Sequence, residues 1–386
     1  MGPLQIPLPV GRKFGQICGM KAPILTALAA ALPSTVPFTG PETLERQQGQ
    51  PFLARLGANE SLFGPSPAAI EAMARAASQA WMYGDPENHD LKAALAVHHG
   101  CGAENIVVGE GIDGLLGYLA RLMIEAGTPV VTSLGAYPTF NFHVAGYGGS
   151  LHRAPYSGDH EDPDALLALA RQTQARLLYI ANPDNPMGSH HPGSRIAAML
   201  DALPEQTLLV LDEAYVDLAP PGTEAPIAAD DPRVIRLRTF SKAHGLAGLR
   251  VGYAITAAPL ATAFDKVRNH FGVGRVAQAG ALAALHDSGY LAAIRHKTEA
   301  ARKRLAGIAR ANGLEPLPSA TNFVTMDCGR DGGYARAVLA ELVKRRIFVR
   351  MPGVAPLDRC IRVSLGDETA LAEFESALPQ ALAAIG

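Results

Sequence analysis

Thr239-Phe-Ser-Lys-Ala-His-Gly-Leu-Ala-Gly-Leu-Arg-Val-Gly-Tyr253 is the stretch on which the fold is decided. The run Val234-Ile-Arg-Leu-Arg238 leads into it as a strand, and the apolar run Val251–Ile255 leaves it as the next. Lys242 therefore sits in a Gly-rich connection between two strands, with a hydroxyl beside it (Ser241) and Arg250 further on. A lysine amine forms a Schiff base with an aldehyde cofactor. A serine and an arginine can hold that cofactor's phosphate, the arginine through its planar donor fork.

Outward from this stretch, strands and helices alternate. Ile106–Val108 reads as a strand ending in Gly109-Glu-Gly-Ile-Asp113, where a helix (113–126) begins. Such a junction leaves backbone N–H groups free for an anion. Val130–Thr132, Leu177–Ile180 and Leu208–Leu211 read as further strands. They run into Tyr137-Pro-Thr-Phe140, Asn182-Pro-Asp-Asn-Pro-Met-Gly188 and Asp212-Glu-Ala-Tyr215. Upstream, Ser66-Pro67 starts a helix (67–80) as cap and first residue, and a second helix covers His89–His99. The alternation predicts an α/β fold: a mainly parallel sheet covered by helices on both faces, forming a large domain over 51–268.

After Ala257 the pattern changes to α+β. A long helical region (258–312) precedes strand Asn322–Thr325, helix 332–345, strands Ile347–Arg350 and Cys360–Leu365, and helix 367–384. This predicts a smaller C-terminal domain, 269–386. Residues 1–50 are Pro-rich, with helical periodicity near 22–32 and at Pro41–Gln48, and are expected to join the small domain.

The chain has 386 residues, enough for about two domains. The formal net charge of −2 marks neither a nucleic-acid nor a membrane-surface binder. Cys18, Cys101, Cys328 and Cys360 are scattered without a Cys-x-x-Cys pair, so neither a disulfide framework nor a metal site is expected. No apolar run reaches the length of a membrane span. The apolar stretch Ala22–Leu32 has a basic flank (Lys21), but Arg12, Lys13 and Lys21 lie far inside the N-terminus. It reads as a short helix covering another domain or subunit rather than as a secretion signal, and a cytoplasmic protein is expected.

In an open α/β sheet, ligands sit at the carboxyl ends of the strands, where these polar residues fall. A dry aspartate (Asp212) is costly unless it faces a cation such as a protonated ring nitrogen, which it keeps charged so that the ring withdraws electrons. Asn185 and Tyr215 can hydrogen-bond an oxygen on that ring, and Tyr137 can stack on its face. Each residue also has a plain structural use: Asn185 in a Pro-rich turn, Asp212 as a helix cap, Tyr137 in the core. One cofactor, pyridoxal 5′-phosphate, accounts for them together.

With Ala58-Asn-Glu-Ser-Leu-Phe-Gly-Pro65, Tyr83-Gly-Asp-Pro86 and Cys360-Ile-Arg-Val-Ser-Leu-Gly366 added, the motifs span nearly the whole chain. Their order resembles the fold-type I pyridoxal-phosphate aminotransferases of class I/II, and most of all the histidinol-phosphate aminotransferase branch. The resemblance implies that Lys242 carries the cofactor and shuttles a proton, that Asp212 pairs with the pyridine nitrogen, and that Asn185 and Tyr215 contact the 3-oxygen. It implies ring stacking by Tyr137, and phosphate binding by the backbone at Gly111, Ile112 and Asp113 with Ser241 and Arg250. Arg362 would pair with the substrate carboxylate, with Asn59 nearby. Tyr83 would reach the phosphate of a neighbouring subunit in a homodimer.

The substrates implied are a small amino acid and a 2-oxo acid, with L-histidinol phosphate and 2-oxoglutarate as first choice. Of the three positions that meet the substrate phosphate in that branch, Arg350 matches, Phe38 lacks a hydroxyl, and Asp327 has the wrong sign, with Arg330 three residues on. These departures leave open an aminotransferase for an unphosphorylated aromatic or aliphatic amino acid. A threonine-phosphate-type decarboxylase and a regulator on the same fold are further alternatives; the regulator lacks a DNA-binding pattern in residues 1–50.

Overall fold

The computed structural model describes residues 24–33 and 39–386, and the chain divides into two units, Met1–Ser34 and Thr35–Gly386. The expectations placed on Phe38, Cys18 and the basic residues Arg12, Lys13 and Lys21 fall outside the described residues. In the first unit the described residues form one short helix, α1 (Ala27–Ala31), capped by the Thr26 hydroxyl, which accepts the Ala29 N–H at 3.2 Å.

The second unit opens with α2 (Pro41–Gln48), whose proline stands in the first turn and whose end is turned by Gly49 at φ 73°. Strand β1 (Ala54–Arg55) follows. Helix α3 (Pro67–Ala77) starts as its sequence predicts, with Ser66 Oγ accepting the Ala69 N–H at 3.1 Å. Then come α4 (His89–His99), β2 (Ile106–Gly109), α5 (Gly111–Met123), β3 (Pro129–Ser133), α6 (Thr139–Gly146), β4 (Ser150–Ala154), α7 (Pro163–Thr173), β5 (Leu177–Ala181), α8 (Gly193–Asp201), β6 (Leu208–Asp212), β7 (Val234–Thr239) and β8 (Gly252–Thr256). The C-terminal part holds α9 (Ala258–Ala263), α10 (Arg275–His286), α11 (Ser288–Ala311), β9 (Glu315–Pro316), β10 (Phe323–Asp327), α12 (Gly332–Lys344), β11 (Ile347–Phe348), β12 (Cys360–Ser364) and α13 (Glu368–Ala383).

Seven strands form the main sheet in the order β2-β8-β7-β6-β5-β3-β4. Strands β3 to β7 pair in parallel, whereas β8 runs antiparallel to β7 and β2. The reversal follows from the Lys242 stretch, which returns the chain directly with no crossover helix, and a direct return makes antiparallel neighbours. The central strands are apolar on both faces because both are covered. Leu177, Tyr179 and Val210 face a core shared with Leu119 of α5 and Phe140 of α6. Leu178, Leu209 and Leu211 face the opposite core, with Leu166 of α7 and Ile196 of α8.

Strand β7 departs from its alternating pattern. Alternation usually marks a half-exposed strand, yet all six residues of β7 are buried. Arg236 and Arg238 are neutralised inside: both Nε atoms donate to Glu213 Oε2, at 3.1 and 2.9 Å, and both guanidiniums also pair with Glu224. The residue after Asp212 is thereby fixed from behind.

A smaller sheet, β12-β10-β9, packs with α11, α12 and α13 over a separate core that includes Leu305, Val338 and Phe374. Ala54 and Leu56 join that core, and β1 pairs in parallel with β11. The segment 54–57 thus carries Asn59 from the small layer to the main sheet.

Several elements differ from the sequence reading. Helix α5 starts at Gly111, two residues earlier than expected. The long helical region is broken, and Asp287 caps α11 by accepting the Tyr290 N–H at 3.0 Å. The expected strand 347–350 is a two-residue strand followed by a bridge between Arg350 and Arg362. Strand β4 and helices α7 and α8 complete the alternation.

Candidate active site

The Lys242 turn is locked at both ends. The Ser241 N–H donates to Thr239 Oγ1 at 3.0 Å, and Arg250 Nη1 donates to Ser241 Oγ at 3.2 Å. Gly245, at φ 68°, lies so close to the 59–65 segment that a Cβ there would stand 2.3 Å from the Gly64 carbonyl oxygen. Lys242 Nζ donates to the Asn59 carbonyl at 3.1 Å. Burial, with the positive charges of Arg362 and Arg250, lowers the lysine's pKa to about 8.

Asp212 ends β6. It accepts the Tyr179 hydroxyl at 2.7 Å and the Ala214 N–H at 2.9 Å. Burial raises its pKa, while those two donors favour the carboxylate. The Tyr215 oxygen accepts from Asn59 Nδ2 at 3.0 Å and from Asn185 Nδ2 at 3.4 Å, and burial pushes its pKa up. Asn185 Oδ1 accepts Arg362 Nη1 at 2.5 Å, and Arg362 Nη2 donates to the Gly57 carbonyl at 3.0 Å. The Arg362 Nε is buried without a partner. A buried unpaired guanidinium N–H is costly, so its position favours an anionic ligand.

The first turn of α5 supplies the other wall. Gly111 has φ 74°, and a Cβ on it would lie 2.5 Å from Arg250 Nη2. Gly252 of β8 packs as tightly, its Cβ position 2.8 Å from the Gly111 backbone. The free N–H groups of a helix start and a guanidinium are thus brought together, as an anion requires. Asp113 meets His143 Nε2 at 2.7 Å, and this contact holds its carboxyl below the usual range.

All of these groups surround one cavity of about 610 Å³. It is lined by Asn59, Ile112, Asp113, Tyr137, Asn185, Asp212, Tyr215, Ser241, Lys242, Arg250, Arg350 and Arg362. Of the residues given a cofactor, catalytic or substrate-binding role from sequence, Gly111 and Tyr83 are not in its lining. Gly111 lies behind it, against Arg250. Tyr83 is 77% exposed, its ring 4.7 Å from Phe271. Arg350 donates to the Thr39 carbonyl at 2.6 Å and lies over the Phe348 ring.

Asp327 does not face the cavity: it accepts Arg359 Nε at 2.6 Å, so its sign does not bear on an anion bound there. Arg330 is also outside the lining, against Tyr334 and the Gly386 carbonyl. Among the described residues, no cluster of His, Cys, Asp and Glu is placed to hold a metal, and no helix is long and apolar enough to cross a membrane.

Sequence reasoning missed three contributors. Tyr179 holds Asp212; its only signal was a phenol inside an otherwise aliphatic strand. Asn322 Nδ2 donates to the Asn59 carbonyl at 2.9 Å, and Ser364 Oγ donates to Asn59 Oδ1 at 3.0 Å. Both sit on small-sheet elements, and their relation to Asn59 depends on tertiary packing.

The fold and the site together define an enzyme built around a buried lysine, a carboxylate and an anion cradle. The family model for class I and II aminotransferases matches residues 53–378, and the chain belongs to this family. Histidinol-phosphate aminotransferase 1 of Mesorhizobium japonicum is 34% identical over 336 residues, 86% of this chain and 90% of the relative. The Nitrosococcus oceani histidinol-phosphate aminotransferase 1 is 36% identical over 344 residues, 88% of this chain and 92% of the relative. A crystal structure of histidinol-phosphate aminotransferase from Sinorhizobium meliloti in complex with pyridoxal-5′-phosphate superposes with a TM-score of 0.92 at 54% identity, covering 94% of this chain and 98% of that one.

Proposed function

We propose that this aminotransferase exchanges the amino group of L-histidinol phosphate with 2-oxoglutarate in a ping-pong reaction, with pyridoxal 5′-phosphate as cofactor. The observation that carries the reading is the 54% identity, across 94% of the chain, to the Sinorhizobium meliloti enzyme. The cavity suits the cofactor on its own terms: a lysine of lowered pKa, a carboxylate held by two donors, and an anion cradle closed by Arg250.

When bound, the cofactor supplies an aldehyde that takes up the amino group and a ring that withdraws electrons from the substrate's α-carbon. Lys242 would hold it covalently, and the free Nζ, easily deprotonated at about pH 8, would take the α-carbon proton. Asp212 would face the ring nitrogen, with Tyr179 and Ala214 keeping its charge in place. Asn185 and Tyr215 would hydrogen-bond the ring oxygen, and Tyr137 would cover the ring. The N–H groups of Gly111, Ile112 and Asp113, with Ser241 and Arg250, would hold the phosphate. Arg362 would bind the α-carboxylate of 2-oxoglutarate, Asn59 beside it, and with L-histidinol phosphate, which has no α-carboxylate, Arg362 and Arg350 would meet the phosphate on the neighbouring carbon.

The reading includes a homodimer in which Tyr83 enters the neighbouring subunit's cradle. It is supported by the exposed aromatic surface of Trp81, Tyr83 and Phe271. It also includes a cytoplasmic location and a division into a large domain (51–268) and a small one (269–386). The separate core under the small sheet supports two domains, whereas the packing of Ala277 and Ala281 of α10 in the large-domain core supports a boundary later than 268. A substrate panel tests the function: turnover of L-histidinol phosphate is expected, and turnover of phenylalanine or tyrosine without it would refute the assignment.

A further inference from the structure

Beside the cavity lies a pair of acids that the roles above do not use. Glu161 precedes α7, and Asp184 stands in the turn after β5; both are buried. Their carboxyl groups lie within hydrogen-bond reach of each other. Glu161 spans the ends of two neighbouring parallel strands. Its Oε2 accepts Ser133 Oγ, at the end of β3, at 2.6 Å, and its Oε1 accepts the N–H of Ala181, at the end of β5, at 3.1 Å. Asp184 accepts the Tyr156 hydroxyl at 3.0 Å and the Met187 N–H at 3.1 Å, so it staples the 182–188 turn.

Two carboxyls in one dry site cannot both ionise cheaply, and they share a proton. The donors decide where it resides. Burial lifts Asp184 too, to about 6, but Met187, Tyr156 and the Asn185 backbone N–H donate to it and favour its anion. Glu161, held well above the usual range by burial and by the Asp184 charge, keeps the proton. The other titratable and charged groups around the pair are Tyr179 and Asp212 on β5 and β6, Arg362 across the cavity, and Asp162, His160, His190 and His191 beside it. His191 Nε2 meets the Glu161 carbonyl at 2.8 Å, and burial lowers the pKa of both His190 and His191.

We propose that Glu161 is a positioning residue of the active site: as a neutral acid it donates to Asp184 and so fixes the turn that presents Asn185 to Arg362 and Tyr215. Asn185 follows Asp184 directly, and its amide bridges Arg362 and Tyr215. The consequence for the reaction rests on the role given above to Asn185 at the cofactor ring.

The test compares holoenzyme forms of E161Q, E161A and N185A with the parent protein, by thermal melting, by pH titration of the visible cofactor band, and by steady-state kinetics. Glutamine keeps a donor toward Asp184 and one acceptor without titrating, and gives up one of the two acceptor contacts that Glu161 makes with Ser133 and the Ala181 N–H. An acid held neutral in the fold loses stability as pH rises above the point where the unfolded chain ionises, so the melting temperature of E161Q is expected to gain on the parent from about pH 5 to about pH 8. Its kcat/KM should stay within about threefold, while E161A loses about tenfold or more and moves the band's midpoint in the same direction as N185A.

A melting temperature of E161Q that falls behind the parent as pH rises would overturn the proposal, because Glu161 would then act as an anion. So would an E161A protein with an unmoved midpoint and unmoved kcat. If N185A itself leaves the midpoint at the parent value, the ring contact of Asn185 is what fails, and the E161Q melting curve still decides for or against the shared proton.

Discussion

Lys242 is an amine held in a dry cavity beside two guanidiniums, and the fold bears the cost of that placement. A pKa lowered from 10.5 to about 8 means that below about pH 8 the folded protein buries a charge the unfolded chain hydrates, at a cost of about 3 kcal/mol. In cofactor-free protein, Lys242→Met is therefore expected to raise stability by about 1–3 kcal/mol near neutral pH, the gain shrinking as pH rises from about 8 toward 10.5, as read by urea titration at several pH values. In the holoenzyme the same change abolishes turnover. At Arg362 the fork matters as much as the charge: Arg362→Lys should lower kcat/KM about 10- to 100-fold, the loss of one charge-assisted hydrogen bond, with the cofactor band retained. Lys242, Asp212, Asn185 and Tyr215 were legible in the sequence because each follows a strand, and strand ends define the ligand crevice. Tyr179 and Glu161 were not, because their partners are set by which strands pair, and pairing order is not a local property. Asp327 misled for the same reason: its partner, Arg359, comes from the neighbouring strand's approach.

Among the elements, the start of α5 has the least tolerance. Gly111 combines φ 74° with a Cβ position 2.5 Å from Arg250 Nη2. Gly111→Ala is expected to cost about 1–3 kcal/mol of stability and to displace Arg250 from the cradle. Cofactor affinity, measured by equilibrium titration of the visible band, should fall about tenfold or more; unchanged affinity would mean that the cradle lies elsewhere. The sequence placed this helix two residues late, since glycines read as loop until the backbone shows them in the first turn. Helices with polar caps, such as α3 behind Ser66, were read to their first residue. Strand β4, Ser150-Leu-His-Arg-Ala154, carries too few apolar residues to register as a strand, as befits the sheet edge. Strand β7 registered, but the burial of its arginines depends on Glu213 and Glu224, which no local pattern announces.

At the scale of the whole molecule, two layers meet over one cavity, and the small layer reaches it through Asn59, Arg350 and Arg362, with Asn322 holding the Asn59 carbonyl. The overall α/β architecture was legible from the alternation of elements, and the passage of residues 54–57 into the C-terminal core was not, because β1 finds its partner β11 almost 300 residues later. The proposed dimer gives a prediction at this scale. Lys242→Ala lacks the lysine, and Tyr83→Ala lacks the group donated to the neighbour, so a mixed dimer would carry one intact site. Subunits mixed after mild dissociation should show more activity than either parent variant; no gain would place Tyr83 outside the neighbouring site. The most direct measurement of the central claim is the visible spectrum of the holoenzyme in separate additions of L-histidinol phosphate and L-phenylalanine. The band of the lysine-held cofactor is expected to convert to the pyridoxamine form with L-histidinol phosphate. Conversion with L-phenylalanine alone would contradict the assignment of substrate, and the absence of any cofactor band would contradict the role of Lys242 itself.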